Sequence, residues 1–231
     1  MMRRAVCLLS GGLDSAVTLA EARASGHECF ALSFSYGQKH AVELECARSV
    51  ARAIGAVRHE TIALDLAQLG GSALLRGGDP ISKSGPGEGI PSTYVPARNT
   101  VFLSIALGWA ETLEADAIYL GVNAVDYSGY PDCRGEYLEA FARLAALATK
   151  RGVMGHELRV EAPLLRLTKS EIILRGIALG VDFADTSSCY DPDPSGGPCR
   201  LCDSCRIREG GFQDARLPDP RVLRYQELDP K

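Results

Sequence analysis

Ser10-Gly11-Gly12-Leu13-Asp14-Ser15 stands directly after an apolar run, residues 5–9 (AVCLL), and before residues 16–22 (AVTLAEA). The run reads as a buried strand and the residues after it as a helix. A glycine-rich turn between the two commits this part of the chain to an α/β arrangement. Such a turn gathers the unpaired N–H groups of a first helical turn at the positive end of its dipole, which suits an anion. Gly11 and Gly12 allow a sharp turn and close backbone approach to a phosphate. Ser10 and Ser15 add hydroxyl donors. A carboxylate at Asp14 repels phosphate, so it either supports the helix N-terminus or holds a Mg²⁺ that bridges the two. No Lys-Ser/Thr pair follows the second glycine, so this is not a Walker A loop.

The 231 residues, 46% of them hydrophobic and 23% charged, suffice for one large α/β domain with a small appendage. A formal net charge of −4 argues against a broad nucleic-acid footprint. No apolar run approaches the roughly 20 residues of a membrane span. Met1-Met2-Arg3-Arg4 precedes only a short apolar stretch, too short for a secretory signal, so a cytoplasmic protein is expected. In that compartment the eight cysteines are expected to serve packing, metal binding or catalysis rather than disulfides.

Strand patterns recur at residues 29–35, 57–64, 117–122 and 158–161, with helical patterns at 40–54, 99–114, 135–151 and from Lys169 to Gly180. In an open α/β sheet, ligands bind beyond the C-terminal ends of the strands. Tyr36 and Gln38, after the second strand, therefore mark a candidate edge of a site, or else a capped loop. In the helix at 40–54, Val42, Cys46, Ala47, Val50 and Ile54 share one face; Cys46, Cys7 and Cys29 read as core. Residues 65–93 are rich in Gly, Ser and Pro and read as a long mobile loop that could act as a lid. Gly85, Gly87 and Gly89 do not open a helix and are no dinucleotide fingerprint. Phe102, Ala106, Trp109 and Leu113 mark the buried face of the next helix. Arg98 and Asn99 stand at its start, where a cation opposes the dipole unless it faces an anion such as phosphate or a substrate carboxylate.

The fourth strand ends in the polar, aromatic stretch 123–134, a candidate binding loop. Tyr127 or Tyr130 could stack on a flat heterocycle, while Asp126, Asp132 or Asn123 could pair with its N–H edges. Cys133 could be a nucleophile, but no nearby His activates it, which favours packing or substrate lining. Thr168 and Glu171 have capping-box spacing, and Lys169 between them is placed to reach ATP phosphates. Cys189, Cys199, Cys202 and Cys205 form the second strong pattern. The last three lie two residues apart, and a Pro/Gly-rich spacer can turn Cys189 back towards them. Four thiolates close a tetrahedral shell, so one structural zinc is expected, with an iron–sulfur cluster as the rival.

Ser-Gly-Gly-x-Asp-Ser resembles the pyrophosphate loop of the N-type ATP pyrophosphatases (the PP-loop superfamily), which cleave ATP between the α and β phosphates and pass AMP to a substrate oxygen. Tyr-Gly-Gln-x-His, Val-Pro-x-Arg-Asn, Gly-Val-Asn-x-x-Asp-Tyr-Ser-Gly-Tyr-Pro-Asp-Cys-Arg and the four-cysteine tail follow it in one order. Together, over residues 5–212, they resemble the 7-cyano-7-deazaguanine synthase family of queuosine biosynthesis. Two departures are mild: Gly135 stands where Pro is expected before Glu136, and the spacer between Cys189 and Cys199 varies. The resemblance implies a Rossmann-like parallel sheet flanked by helices (adenine nucleotide alpha hydrolase-like), with residues 1–186 as the ATP-binding domain. A small zinc-binding segment, residues 187–231, packs on it. The resemblance further implies that Leu8, Leu9, Ser10, Gly11, Gly12, Leu13, Asp14, Ser15, Ala16, Val17 and Thr18 hold ATP with Mg²⁺. Ser10, Asp14, Ser15 and Lys169 would serve catalysis, and Tyr36, Gln38, Arg98, Asn99, Asn123, Asp126, Tyr127, Asp132, Cys133 and Arg134 the 7-carboxy-7-deazaguanine substrate. Ammonia would be the nitrogen donor, the chain a homodimer, and no nucleic acid or membrane a partner. Asp126 or Asp132 would accept protons.

Rival readings are a tRNA thiolase, an amide-forming synthetase of the same superfamily, or a non-enzymatic zinc knuckle that binds nucleic acid. A thiolase calls for a basic face and paired catalytic cysteines. In the tail, Arg200, Arg206 and Arg208 are balanced by Asp191, Asp193, Asp203 and Glu209, which suits phosphate poorly.

Overall fold

In the computed structural model the described residues are 2–83, 89–123 and 130–228. Five strands, β1 (Arg3–Leu8), β2 (His27–Ser35), β3 (Arg58–Ala63), β4 (Ala117–Tyr119) and β5 (Arg159–Glu161), form one sheet in the order β3-β2-β1-β4-β5. All four pairings are parallel. The chain steps outward from β1 to β3 on one side, then returns to β4 beside β1 and steps out to β5. The order therefore reverses at β1, and the crevice beyond the C-terminal ends of β1 and β4 is where such a sheet takes a ligand.

Side chains alternate across the sheet, as a strand's two-residue period requires. Ala5, Cys7, Cys29, Ala31, Ala117 and Tyr119 face one core, with α1 (Leu13–Ala24), α2 (Val42–Ile54) and α6 (Lys169–Ala178). Val6, Leu32, Phe34 and Ile118 face the other, with α3 (Arg98–Thr112) and α4 (Gly135–Ala148). Cys7, Cys29 and Cys46 are buried as expected, and all eight cysteines are free thiols.

Three local expectations are corrected. On α3 the fully buried face is Leu103, Ala106, Leu107 and Ala110. Phe102, Trp109 and Leu113 are only partly buried: Phe102 turns to stack on Phe34 with centroids 3.9 Å apart, and Trp109 meets Phe30 edge-on. The helix expected over 135–151 breaks at Thr149, which is extended (φ −118°). The Thr149 hydroxyl donates to Ala145 and accepts from the N–H of Gly152, starting the short α5 (Lys150–Val153). The loop at 65–93 is not loose where it is described. Leu74 and Leu75 are buried, and the Lys39 ammonium holds the carbonyls of Gly78 and Asp79.

The capping box forms: the Thr168 hydroxyl accepts from the N–H of Glu171, whose carboxylate accepts from the N–H of Thr168. Beyond it, α7 (Asp203–Asp214) and α8 (Pro220–Leu228) pack back on the domain. A buried ion pair, Arg208 to Asp219 at 2.7 Å, ties them together. Among the described residues no helix is long and apolar enough to cross a membrane.

Candidate active site

The segment after β1 turns because Gly11 takes a left-handed conformation (φ +90°) that L side chains rarely adopt. It is also crowded: a Cβ on Gly11 would lie 2.1 Å from the carbonyl oxygen of Glu43 in the first turn of α2. Gly12 has an ordinary φ of −79° and is the N-cap of α1. Four bonds of the Ser10 and Ser15 hydroxyls hold the turn among the described residues, one of them accepted by Ser15 Oγ from the Ser10 N–H at 3.2 Å. Ser10 Oγ accepts from the N–H of Gly12 at 3.2 Å, Ser15 Oγ donates to the Gly12 carbonyl at 3.0 Å, and the two hydroxyls are 3.1 Å apart. The chain's own order gives no hint of a second brace. Ser187 N–H donates to the Gly11 carbonyl at 2.9 Å, and Ser188 Oγ lies 3.4 Å from the Leu13 N–H. Gly121, just past β4, presses on the same turn, since a Cβ there would meet the Asp14–Ser15 peptide at 2.9 Å.

This turn floors a cavity of about 260 Å³. Leu8, Leu9, Ser10, Gly12, Leu13, Asp14 and Ser15 line it; Gly11, Ala16, Val17 and Thr18 do not. Ala16, Val17 and Thr18 are completely buried in α1, because that stretch of the helix lies between the sheet and α6.

Tyr36, Gln38, Arg98, Asn99, Asn123 and Cys133 line the other walls. The Arg98 guanidinium lies over the Tyr36 ring, 5.7 Å from its centroid, with Nη1 3.4 Å from the phenol oxygen. No carboxylate among the described residues forms an ion pair with Arg98 in this cavity. Gln38 is a loop staple as well as a wall: its side chain accepts from the Tyr36 N–H and donates to the Phe34 carbonyl. The Asn123 amide donates to the carbonyls of Leu164 and Leu167 at 3.1 and 2.5 Å, so its N–H₂ serves the fold. Burial, then the charge of Asp132, push the Cys133 thiol up to about 12, which makes it a poor nucleophile at neutral pH.

Several expected contacts go elsewhere. Asp132 is buried and accepts from the Asn99 N–H at 3.0 Å, so it satisfies the start of α3 and does not line the cavity. Arg134 is exposed at the N-cap of α4, also outside it. Tyr130 does reach the cavity, with its hydroxyl 2.8 Å from Thr93. Asp126 and Tyr127 fall outside the described residues. Lys169 does not line the cavity: its Nζ donates to both oxygens of Asp14 at 2.7 and 2.9 Å, because an ammonium 7% exposed requires a counter-charge.

Glu43, Ser187 and Ser188 also line the cavity and were not apparent from sequence. The Ser187 hydroxyl is buried with no hydrogen-bond partner among the described residues. Burial pushes the Glu43 carboxyl up from 4.5 to about 7, against the opposing pull of Arg98. Glu43 lies four residues past Lys39 in a segment whose pattern reads only as an amphipathic helix, so no local signal marks it.

At the cavity's edge, next to Cys189 and Tyr190, the sulfurs of Cys189, Cys199, Cys202 and Cys205 lie within 4.8 Å of one another. Backbone N–H groups point at them: Asp191 and Cys199 donate to Cys189 Sγ, and Leu201 and Cys202 to Cys199 Sγ, at 3.2–3.4 Å. The set fits a metal ion.

The family profile of the queuosine biosynthesis protein QueC matches residues 4–216. A 7-cyano-7-deazaguanine synthase of Cupriavidus necator is 58% identical over 226 residues, covering 98% of this chain and 99% of that protein. One of Pseudomonas paraeruginosa is 57% identical over 218 residues, covering 94% and 97%. Among solved structures, a 4-thiouridine synthetase–RNA complex with bound ATP is similar at a TM-score of 0.49 and 19% identity, over 98% of this chain and 53% of that one.

Proposed function

Because the chain belongs to the family of the queuosine biosynthesis protein QueC, we propose that it converts 7-carboxy-7-deazaguanine and ammonia to 7-cyano-7-deazaguanine with ATP. The observation that carries this reading is one cavity shared by the Ser-Gly-Gly turn and Arg98. The turn suits a pyrophosphate, and Arg98, without a carboxylate partner there among the described residues, suits the carboxylate of a flat acid.

In this scheme the substrate carboxylate attacks the α-phosphate of ATP and the bond to the β-phosphate breaks. Pyrophosphate leaves towards Ser10, Ser15 and the first-turn amides of α1, whose donors are already oriented for the charge that develops. Ser187 and Ser188 add hydroxyls on the facing side. Ammonia displaces AMP to give the amide. The amide oxygen is adenylated in turn, and loss of AMP leaves the nitrile. Lys169 neutralises Asp14, so the turn stays receptive to a triphosphate that arrives with Mg²⁺. Tyr36, Gln38, Asn99 and Asn123 shape the substrate's pocket.

Residues 1–186 then form the ATP-binding domain. Residues 187–231 form the zinc-binding segment, built round one zinc on the four cysteines. A closed four-sulfur shell makes that zinc structural. We further propose a cytoplasmic homodimer. The test is incubation with ATP, Mg²⁺, ammonium and 7-carboxy-7-deazaguanine, followed by mass spectrometry. Nitrile together with AMP is the expected result. AMP without nitrile would refute the acid assigned here, and neither product would refute the activity.

A further inference from the structure

Amide formation needs a base for the nitrogen nucleophile. Ammonia is mostly ammonium at neutral pH and has no lone pair until a proton is removed. Asp14 is held by Lys169, and Asp132 is turned away against Asn99. His40 lines the cavity, but its Nε2 is buried without a hydrogen bond among the described residues and faces the Asp191 carboxylate at 3.7 Å.

Glu43 is placed differently. It sits in the first turn of α2, where its carbonyl oxygen fills the space left by the missing side chain of Gly11. The base of its side chain is therefore fixed against the ATP turn. Glu43 is half-buried and lines the cavity together with Ser10, Arg98 and Asn99. Arg98 on α3 is near enough to act on its charge without forming an ion pair. We propose that Glu43 is the proton acceptor for the nitrogen nucleophile, a role that rests on the function proposed above.

An ammonium ion gives a proton to the Glu43 carboxylate and keeps the bonding pair. That pair forms the C–N bond at the carbonyl carbon of the adenylated acid. The C–O bond to AMP breaks, its electrons leaving on the phosphate oxygen, and the departing AMP takes the second proton from nitrogen. Glu43 then returns its proton to water through the cavity mouth.

The charge environment fits this task. Burial and the Arg98 cation act on Glu43 in opposite senses, and burial prevails, so its affinity for a proton lies close to working pH. Among the described residues, the other titratable or charged groups of the cavity are Tyr36, Lys39 and His40 after β2, Asp14 on α1, Tyr130 and Cys133 before α4, and Cys189 and Tyr190, with Cys46 one turn along α2. Asp14 is neutralised by Lys169, and Lys39 is held by two backbone carbonyls. Burial keeps the phenol of Tyr36 and the thiol of Cys46 neutral.

Two half-reactions separate this role from a structural one. The substrate carboxylate needs no base to attack ATP, whereas ammonium does need one to attack the adenylate. Exchange of labelled pyrophosphate into ATP, dependent on 7-carboxy-7-deazaguanine, reads the first, and amide plus nitrile formation reads the second. Glu43→Gln is expected to retain exchange while amide formation falls by about 100-fold or more. Hydroxylamine, largely unprotonated at neutral pH, is expected to restore acyl transfer in the variant by giving the hydroxamate. Glu43→Asp serves as a second variant, expected to keep part of the amide activity with an unchanged exchange rate. Parallel loss of exchange and amide formation would overturn the proposal, as would amide formation by Glu43→Gln at the wild-type rate. An absence of exchange in the wild-type protein would instead refute the function on which the proposal rests.

Discussion

Replacing Lys169 by Met should separate the fold of the ATP turn from its electrostatics. Lys169 Nζ bonds both Asp14 oxygens at 2.7 and 2.9 Å, with side-chain exposures of 8% for the lysine and 25% for the aspartate. At about 3 Å and an effective dielectric of about 20 the gross attraction is about 6 kcal/mol, most of it offset by drying the ammonium. Removing one partner of a buried pair costs about 3–5 kcal/mol. Because Asp14 keeps some contact with water, about 2–3 kcal/mol is expected here, or about 5–10 °C in Tm. The lone carboxylate left in the turn should also repel a triphosphate, weakening ATP binding about tenfold. The decisive comparison is Lys169→Met with Asp14→Asn. The double variant should regain most of the lost stability, with a coupling of about 2 kcal/mol by urea unfolding, and should bind ATP more tightly than Lys169→Met alone. A coupling near zero, or no gain in ATP affinity by calorimetry, would refute the view that Lys169 acts by neutralising Asp14.

Gly11→Ala combines a left-handed backbone with a 2.1 Å overlap on the Glu43 carbonyl. It should cost at least about 1–2 kcal/mol in chemical unfolding and displace the turn enough to abolish ATP binding. Elemental analysis should find one zinc per chain, and Cys202→Ser should lose it together with near-ultraviolet signals from the tail; stoichiometric iron would point to a cluster instead. The folded state holds the Glu43 proton up to about pH 7, whereas an exposed carboxyl loses it near 4.5. The stabilisation from that protonated form is complete below about pH 4.5 and is lost as pH rises through 7. Glu43→Gln, which has no charge to bury, should therefore melt higher than wild type above pH 7 and close to it near pH 4; equal melting temperatures throughout would contradict the burial assigned to this carboxylate.

What could be read from sequence was set by short-range geometry. A strand, a glycine turn and a helix are neighbours in the chain, so residues 5–22 announced both their shape and their taste for an anion. Four cysteines within a short segment did the same for the metal site. Contacts between distant segments were not legible. Asp132 and Lys169 carry charges that suit a ligand, yet each is taken by a protein partner far along the chain, Asn99 and Asp14. Arg134 lies beside Cys133 in sequence but points to water, because the chain is turning into α4 at that position. Glu43, Ser187 and Ser188 became site residues only through packing: α2 against Gly11, and the segment before Cys189 against the turn. Phe102 shows a subtler limit, since helical spacing marked it as interior while the structure uses it as a partly covered wall stacked on Phe34.

The brace formed by Ser187 and Ser188 has a consequence for synthesis on the ribosome. The ATP turn leaves the exit tunnel early, yet the N–H that holds the Gly11 carbonyl and the hydroxyl beside Leu13 are made about 175 residues later. Lys169 is equally late, and Gly211 closes over its aliphatic stem later still, leaving no room for a Cβ. A nascent chain can pair β1 with β2 and build half the sheet while its triphosphate site is still unbraced. Under the function proposed above, the brace behind the ATP turn is therefore completed only near the end of translation.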